Sequence, residues 1–272
     1  MESSSQSGKI LPANRSQTGA GNLPDSFPAR RLRQARRLVK LSWTLASLML
    51  TRPPAGADSP ARARALWLQM CARRVAKAFD LEVTVTGPLP ERGLLVANHL
   101  SYLDIVMLAA LMPVVFVSKA EVANWPVFGW FAKRSGTLFV RREKRGDVGI
   151  LKDLMAEKLA GGSLLILFPE GTSSDGREVL PFKPSLLEPA VNSPHPLAVA
   201  HLEYWLEGGG DVGREVCYWG DMTLAPHLLN LLSLRRVRAT ARFLPIEGRA
   251  PDRKELARQL HAEVVRLKKS QV

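Results

Sequence analysis

Only two cysteines, Cys71 and Cys217, stand among the 272 residues, and they lie far apart. That scarcity leaves neither a disulfide framework nor a zinc-ligand spacing, so no metal site is expected and a reducing compartment is. No run of ~20 apolar residues occurs, the length a helix needs to span a bilayer. A Gly-x-Ser-x-Gly nucleophile elbow is absent, and neither cysteine sits in a nucleophile's context, so a covalent acyl or glycosyl intermediate on a serine or cysteine is not indicated. Gly208-Gly209-Gly210 has no Lys-Ser/Thr after it, so it reads as a turn rather than a phosphate loop. There is no internal repeat.

Acidic residues are scarce at one end of the chain. The net charge is +13. Residues 1–79 carry 14 Lys/Arg against 3 Asp/Glu, while residues 80–272 carry 24 against 22. A neutral body with a basic arm seeks an anionic partner, a nucleic acid or a membrane surface. Apolar content decides between them. Residues 1–28 are rich in Ser, Gly, Pro and Asn and read as a disordered tail. RRLRQARRLVKLSWTLASLML (30–50) follows, arginine-rich in its first half and apolar from Leu38 to Leu50. Cations for lipid phosphates next to an apolar face describe an interfacial helix, so membrane lipids are the expected partner and nucleic acid is not. Two other readings of the arm stand beside this one. Ala55-Gly56-Ala57 imitates a signal-peptide cleavage site, although the leader would exceed the usual ~15–30 residues. A short apolar run is also what a buried core helix shows. After the break at TRPPAGADS, a second amphipathic helix is predicted over 61–79, so residues 29–79 read as a basic helical hairpin for membrane binding.

From residue 80 onward the pattern predicts one α/β domain to residue 272. LEVTVTG alternates with period two. LLVAN (94–98), VVFVS (114–118), TLFVR (137–141) and SLLILF (163–168) are short continuous apolar runs of the kind buried strands require. Helices are expected near 102–112, 121–134, 146–160 and 252–269, and further strands at 196–204, 213–219 and 237–246. Strands alternating with helices predict a mixed, largely parallel sheet flanked by helices.

Within that frame, Asn98-His99-Leu100-Ser101-Tyr102-Leu103-Asp104 follows a strand directly. Residues five apart on one helix are about 140° apart around the axis, so His99 and Asp104 meet only if the helix begins after Ser101. Ser101 is then the N-cap, and Asp104, at N3, bends back toward His99. Ser-x-x-Asp is also a capping signature that needs no chemistry. Other strand ends add weight: Arg141-Arg142 after TLFV, and Glu170-Gly171-Thr172-Ser173-Ser174-Asp175-Gly176 after SLLILF. Ligands of open α/β sheets bind beyond such carboxyl ends.

NHLSYLD resembles the H-x4-D box of the glycerolipid acyltransferases, the group that contains 1-acylglycerol-3-phosphate acyltransferase. Gly136-Thr137-Leu138-Phe139-Val140-Arg141-Arg142 is similar to that family's second box, Phe168-Pro169-Glu170-Gly171-Thr172 to its third and Pro196-Leu197-Ala198-Val199 to its weak fourth. The resemblance implies acyl transfer from a thioester, on coenzyme A or acyl carrier protein, to a lysolipid hydroxyl, with no cofactor beyond that co-substrate. It implies His99 as general base and Asp104 as its orienting carboxylate, and imidazole is the side chain whose ordinary titration suits a base at neutral pH. It implies Arg142 and Arg141 for an anionic group, Glu170 for the acceptor head, and Gly171-Thr172 for backbone N–H donors. Location at the cytoplasmic face of the inner membrane, peripheral or monotopic, goes with it.

Two departures bear on the acceptor. Ser173 stands where family members that make phosphatidate often have arginine, and Arg141 stands where an acid is common. EGTSSDG together with Cys217-Tyr218-Trp219-Gly220-Asp221-Met222 resembles the branch that acylates lyso-ornithine lipid. Lysophosphatidate acylation is the alternative, and a thioester hydrolase using His99 and Asp104 on water is a third. Asp221 reads as a contact for a cationic head or as a helix cap. His195, His201, His227 and His261 read as packing or surface residues. Trp125, Phe128, Trp130 and Phe131, around Gly129, read either as core or as the lining of an acyl channel.

Overall fold

The computed structural model describes residues 26–141 and 145–270. Most of the expected tail therefore lies outside the described residues. Two helices open the chain, α1 (Phe27–Met49) and α2 (Pro60–Phe79). A seven-stranded sheet follows: β1 (Leu81–Thr86), β2 (Gly93–Ala97), β3 (Val115–Lys119), β4 (Leu138–Val140), β5 (Leu164–Leu167), β6 (Leu197–Leu206) and β7 (Val237–Pro245). Its order is β1-β7-β6-β2-β5-β3-β4. All neighbours pair in parallel except β6 and β7. This is the mixed, largely parallel sheet that the apolar runs predict.

Period two sorts each central strand onto two cores. In β2, Leu95 and Ala97 face one core and Leu94 and Val96 the other; in β5, Leu164 and Ile166 oppose Leu165 and Leu167. The first core is covered by α1, α2, α3 (Tyr102–Leu111) and α8 (Leu224–Ser233). The second is covered by α5 (Arg145–Ala160), α6 (Pro184–Val191) and α9 (Arg253–Lys269). Asp252 caps α9 by accepting from Lys254 and Glu255 N–H.

The basic half of α1 divides its cations between two tasks. Arg30, Arg33 and Arg37 share the inward face. Arg33 Nε donates to Ser233 O at 2.8 Å, and Arg37 donates to Leu234 O and Arg235 O at 2.5 and 2.6 Å. These are carbonyls at the C-terminal end of α8, where the unpaired acceptors and the negative end of the helix dipole favour a cation. Arg31 and Arg36 stay exposed, beside Leu32, Val39, Trp43 and Leu50. Among the described residues no helix is long and apolar enough to cross a membrane.

Two elements differ from expectation. The helix predicted over 121–134 is a 3-10 turn (Ala120–Asn124) followed by α4 (Phe128–Ser135). Pro126 cannot donate into a continuing helix, and Val127 takes a positive φ of 62°, rare for a β-branched residue. The kink folds the turn back on α4 so closely that a Cβ on Gly129 would meet Ala123 O at 2.4 Å. The strand predicted over 213–219 is instead α7 (Val212–Glu215), capped by Asp211, followed by irregular chain. There the alternation of Val212, Val216 and Tyr218 imitates a strand, but the Asp211 cap starts a helical turn. Helix α6 was not anticipated, and α8 is the helical turn that was expected to begin at Asp221. Thr223, not Asp221, stands at the N-cap of α8, and Asp221 lies in an exposed turn.

Candidate active site

β2 ends at Ala97 in the middle of the sheet, and the next residue anchors the site. Asn98 pairs with a backbone as a strand residue would. Its Nδ2 donates to Leu202 O at 3.0 Å and its Oδ1 accepts from Leu202 N–H at 2.7 Å. The side chain thus replaces one rung of the β2–β6 ladder and lets the main chain turn away. His99, Leu100 and Ser101 make that turn, and α3 begins at Tyr102 with Ser101 as N-cap.

Asp104, fully buried on the first turn of α3, draws the turn together. Its Oδ2 accepts from Leu100 N–H at 2.7 Å and Ser101 N–H at 3.0 Å, and stands 2.7 Å from His99 Nδ1. Its Oδ1 accepts from the Tyr204 hydroxyl at 2.6 Å. Four donors satisfy one carboxylate, with no lysine or arginine paired to it among the described residues, as a buried charge requires. The anionic carboxylate holds the Nδ1 proton on His99 and leaves the Nε2 lone pair unused by any protein hydrogen bond among the described residues. The His99 ring lies flat on Phe168, centroids 4.2 Å apart, and its side chain keeps 21 % of its surface exposed. The pair is therefore both fixed and reachable from outside.

Glu170 lies beneath the same turn. Its Oε1 accepts from His99 N–H at 3.4 Å, while Oε2 is buried without a hydrogen-bond partner. Burial, and after it the nearby Asp104 charge, push this carboxyl up to about 8. A carboxyl kept protonated beside a histidine, at a strand end, is the kind of perturbed group that marks functional sites. Gly171 takes a positive φ of 76°, open to glycine without strain, and turns the chain back so that its own N–H donates to Phe168 O at 3.2 Å. Of the two expected backbone donors, only the Thr172 N–H makes no hydrogen bond among the described residues.

The structure thus brings together His99, Asp104, Glu170, Gly171 and Thr172. Arg141 is exposed at the end of β4, on the same edge of the sheet. Since β3 lies between β4 and β5, it stands two strand spacings, roughly 10 Å, to the side of the β5 end. Arg142 lies outside the described residues. Ser173 donates its hydroxyl to Tyr218 O, so it belongs to the scaffold of the loop. Trp130 and Phe131 pack on Trp67 in a small core, and Phe128 and Phe131 also line an apolar cavity of about 260 Å³ between α1, α2, α3 and α4. Phe116 forms part of that cavity and stacks on Phe168, which stacks on His99. A continuous aromatic wall therefore leads from the imidazole to the cavity. His227 is taken up in packing: it bonds Tyr102 O–H and Cys217 O. His261 bonds Val179 O.

Tyr204 and Asn98 are the two residues of the site to which the sequence reading gave no role. A phenol on the same inward face of β6 as Ala200 and Leu202 was one available signal, since a buried hydroxyl needs a partner. Burial and the Asp104 charge raise this phenol well above its ordinary value, so it remains a donor. Tyr204→Phe should lower kcat about tenfold, the weight of one charge-assisted hydrogen bond. The acid limb of its pH–rate profile should move upward, because the less satisfied carboxylate holds an imidazolium more tightly. A profile that merely scales down would assign Tyr204 to packing.

Known proteins resemble the chain in sequence and in fold. The family model described as Acyltransferase matches residues 81–200, which take in His99, Asp104 and Glu170. The chain is 38% identical over 241 residues to a lyso-ornithine lipid O-acyltransferase of Pseudomonas aeruginosa, covering 86% of this chain and 91% of that one. It is likewise 38% identical over 210 residues to a lyso-ornithine lipid O-acyltransferase of Brucella abortus, covering 71% and 78%. The crystal structure of the 1-acyl-sn-glycerophosphate acyltransferase of Thermotoga maritima superposes with a TM-score of 0.55 at 20% identity, over 89% of this chain and 99% of that one.

Proposed function

The chain belongs to the acyltransferase family and transfers acyl groups to a lysolipid, and from that premise we propose that its acceptor is lyso-ornithine lipid, that its donor is a phosphopantetheine thioester on coenzyme A or acyl carrier protein, and that it works on the cytoplasmic face of the inner membrane. The observation that carries the chemistry is the 2.7 Å contact of His99 Nδ1 with a buried Asp104, which leaves Nε2 available. In this reading His99 Nε2 takes the proton of the acceptor hydroxyl as its oxygen attacks the thioester carbonyl. Asp104 holds the ring and stabilises the imidazolium. The tetrahedral oxyanion collapses, the C–S bond breaks, and the departing sulfur takes the proton back from His99. The Thr172 N–H stabilises the oxyanion. Glu170 orients the acceptor beside His99, and Arg141 and Arg142 hold an anionic group of the donor. The apolar cavity beyond Phe116 receives the acyl chain.

Two observations support the lyso-ornithine acceptor over lysophosphatidate. The relatives carrying that name match over most of their length. Ser173, in the position of a phosphate-binding arginine, carries no charge and is committed to Tyr218 O. Purified enzyme given a labelled acyl-thioester and a panel of lysolipids tests this. A kcat/KM for lyso-ornithine lipid at least about tenfold above lysophosphatidate is expected, since a site built for one head group leaves polar groups unpaired with another. The reverse order would replace the acceptor. Release of free acid without acceptor at a comparable rate would favour a hydrolase.

Membrane docking in this proposal rests on the outward face of α1, where Trp43 is 77% exposed and Leu50 87%. With Leu32, Val39 and the exposed Arg31 and Arg36 they form an apolar stripe edged by cations, the pattern of an interfacial helix. Trp43→Glu with Leu50→Glu should cut partition onto vesicles containing anionic lipid by at least about tenfold, as two side chains leave the acyl region. The fold should be retained, because neither residue packs on the core. Unchanged co-sedimentation would place the docking face elsewhere.

A further inference from the structure

A second cavity, of mixed lining and about 370 Å³, adjoins the catalytic turn and shares no lining residue with the apolar one. Leu100, next to His99, and Tyr204, whose hydroxyl holds Asp104, form part of its wall. The loop that continues from Glu170 supplies Asp175, and the far walls carry His201, Asp211 and Lys268. The polarity of this lining can be read from its bonds.

His201 is only 3% exposed, and Arg242 Nη1 lies 3.3 Å from its Nδ1. A guanidinium has only donors, so Nδ1 must be the acceptor and the ring proton must sit on Nε2. Burial first, then the charges of Arg242 and Lys268, lower this histidine to about 3, which keeps it neutral at every physiological pH. Its Nε2–H makes no hydrogen bond among the described residues and is left for a ligand in the cavity. Lys268, from the end of α9, is anchored by donating to Gly176 O at 2.9 Å and adds a second donor of positive charge. Across from them stand two carboxylates held by the local backbone: Asp175 accepts from Arg177 N–H, and Asp211 accepts from Arg214 N–H as the α7 cap.

Resting on the lyso-ornithine reading above, we infer that this cavity is the acceptor's head-group site and that it takes a zwitterion, the carboxylate against His201 and Lys268 and the ammonium against Asp175 and Asp211. An ornithine head carries that pair of charges. A phosphate monoester carries negative charge alone and would leave Asp175 and Asp211 with only their exposed neighbours Arg177 and Arg214 as partners, at 3.3 and 3.6 Å. Because the cavity shares the Leu100 and Tyr204 wall with the dyad, a head group bound there keeps the rest of the lysolipid on the side of His99.

Steady-state rates of the full chain in mixed micelles, with lyso-ornithine lipid varied, test the assignment. Asp211→Asn removes charge yet retains the cap, and Lys268→Met removes charge yet retains the stem. Each should raise the acceptor KM about tenfold, the weight of one charge-assisted contact, and leave the donor KM unchanged. Nα-acetylornithine, the head group without a second chain, should compete with the acceptor in the wild-type enzyme and lose at least about tenfold of its potency in both variants. If the wild type turns over lyso-ornithine lipid while both variants keep its acceptor KM and its inhibition, the head-group site is overturned and the acceptor reading stands. If the wild type does not acylate lyso-ornithine lipid, both are overturned.

Discussion

His99→Ala should reduce acyl transfer by roughly 10²–10⁴-fold, the usual contribution of a positioned general base, while the protein keeps its fold. The two halves of that expectation come from different contacts. The imidazole is partly exposed, stacks on Phe168 and bonds one carboxylate oxygen, so its loss opens little core. The turn itself is held by Leu100 and Ser101 N–H on Asp104 and by Asn98 on Leu202, none of which involves the ring. Asp104→Asn should be nearly as damaging to rate. The amide cannot accept from all of its neighbours in the same orientation, and it no longer fixes the Nδ1–H tautomer. It should also destabilise the protein, because Asp104 is fully buried and caps α3. The measurement is single-turnover transfer from a labelled thioester to a lysolipid, with near-ultraviolet circular dichroism of each variant. More than a few per cent of wild-type activity in His99→Ala would remove the histidine from proton transfer and leave its box as a helix cap.

How much of this was readable beforehand depends on whether the cause is local. The turn from β2 to α3 was readable because the groups that bring His99 to Asp104 lie within seven residues, and a carboxylate at N3 reaches back only when Ser101 begins the helix. The sheet was readable because four apolar runs without alternation have no other place than between two layers. The break in the 121–134 helix was written in Pro126 but was masked by apolar residues on both sides of it. The 212–215 helix was missed because alternation over four residues fits either structure, and only the Asp211 cap decides. Tyr204 meets Asp104 across 100 positions of sequence, and the pairing of β6 beside β2 is what brings them together. No spacing rule sees such a contact. The same holds for the division of arginines in α1, since helical periodicity gives the faces but not the α8 carbonyls waiting on one of them.

Glu170 leads to the second large effect, and its sign is set by its burial. The folded protein holds this carboxyl near about 8, against an ordinary value of 4.5. Between those values the native state binds a proton that the unfolded chain has released. Stability therefore falls as pH rises from about 4.5 to about 8 and levels off above, by an amount on the order of 5 kcal/mol if the full shift is expressed. Glu170→Gln keeps an Oε1 acceptor for His99 N–H and cannot ionise. The variant should match the wild type near pH 5 and unfold at distinctly higher denaturant concentration near pH 8, with the wild type's slope across that window largely removed. Activity should move the other way. If Glu170 orients the acceptor beside His99, the neutral amide should weaken turnover of the lysolipid even where it stabilises the fold, which is the opposition expected of a strained functional group rather than a structural one. Denaturant unfolding at pH 5 and pH 8, with initial rates on the same samples, decides it. A wild-type protein equally stable at both pH values would mean that Glu170 is ionised in its pocket. A more stable variant with full activity would leave the buried acid without a part in the reaction.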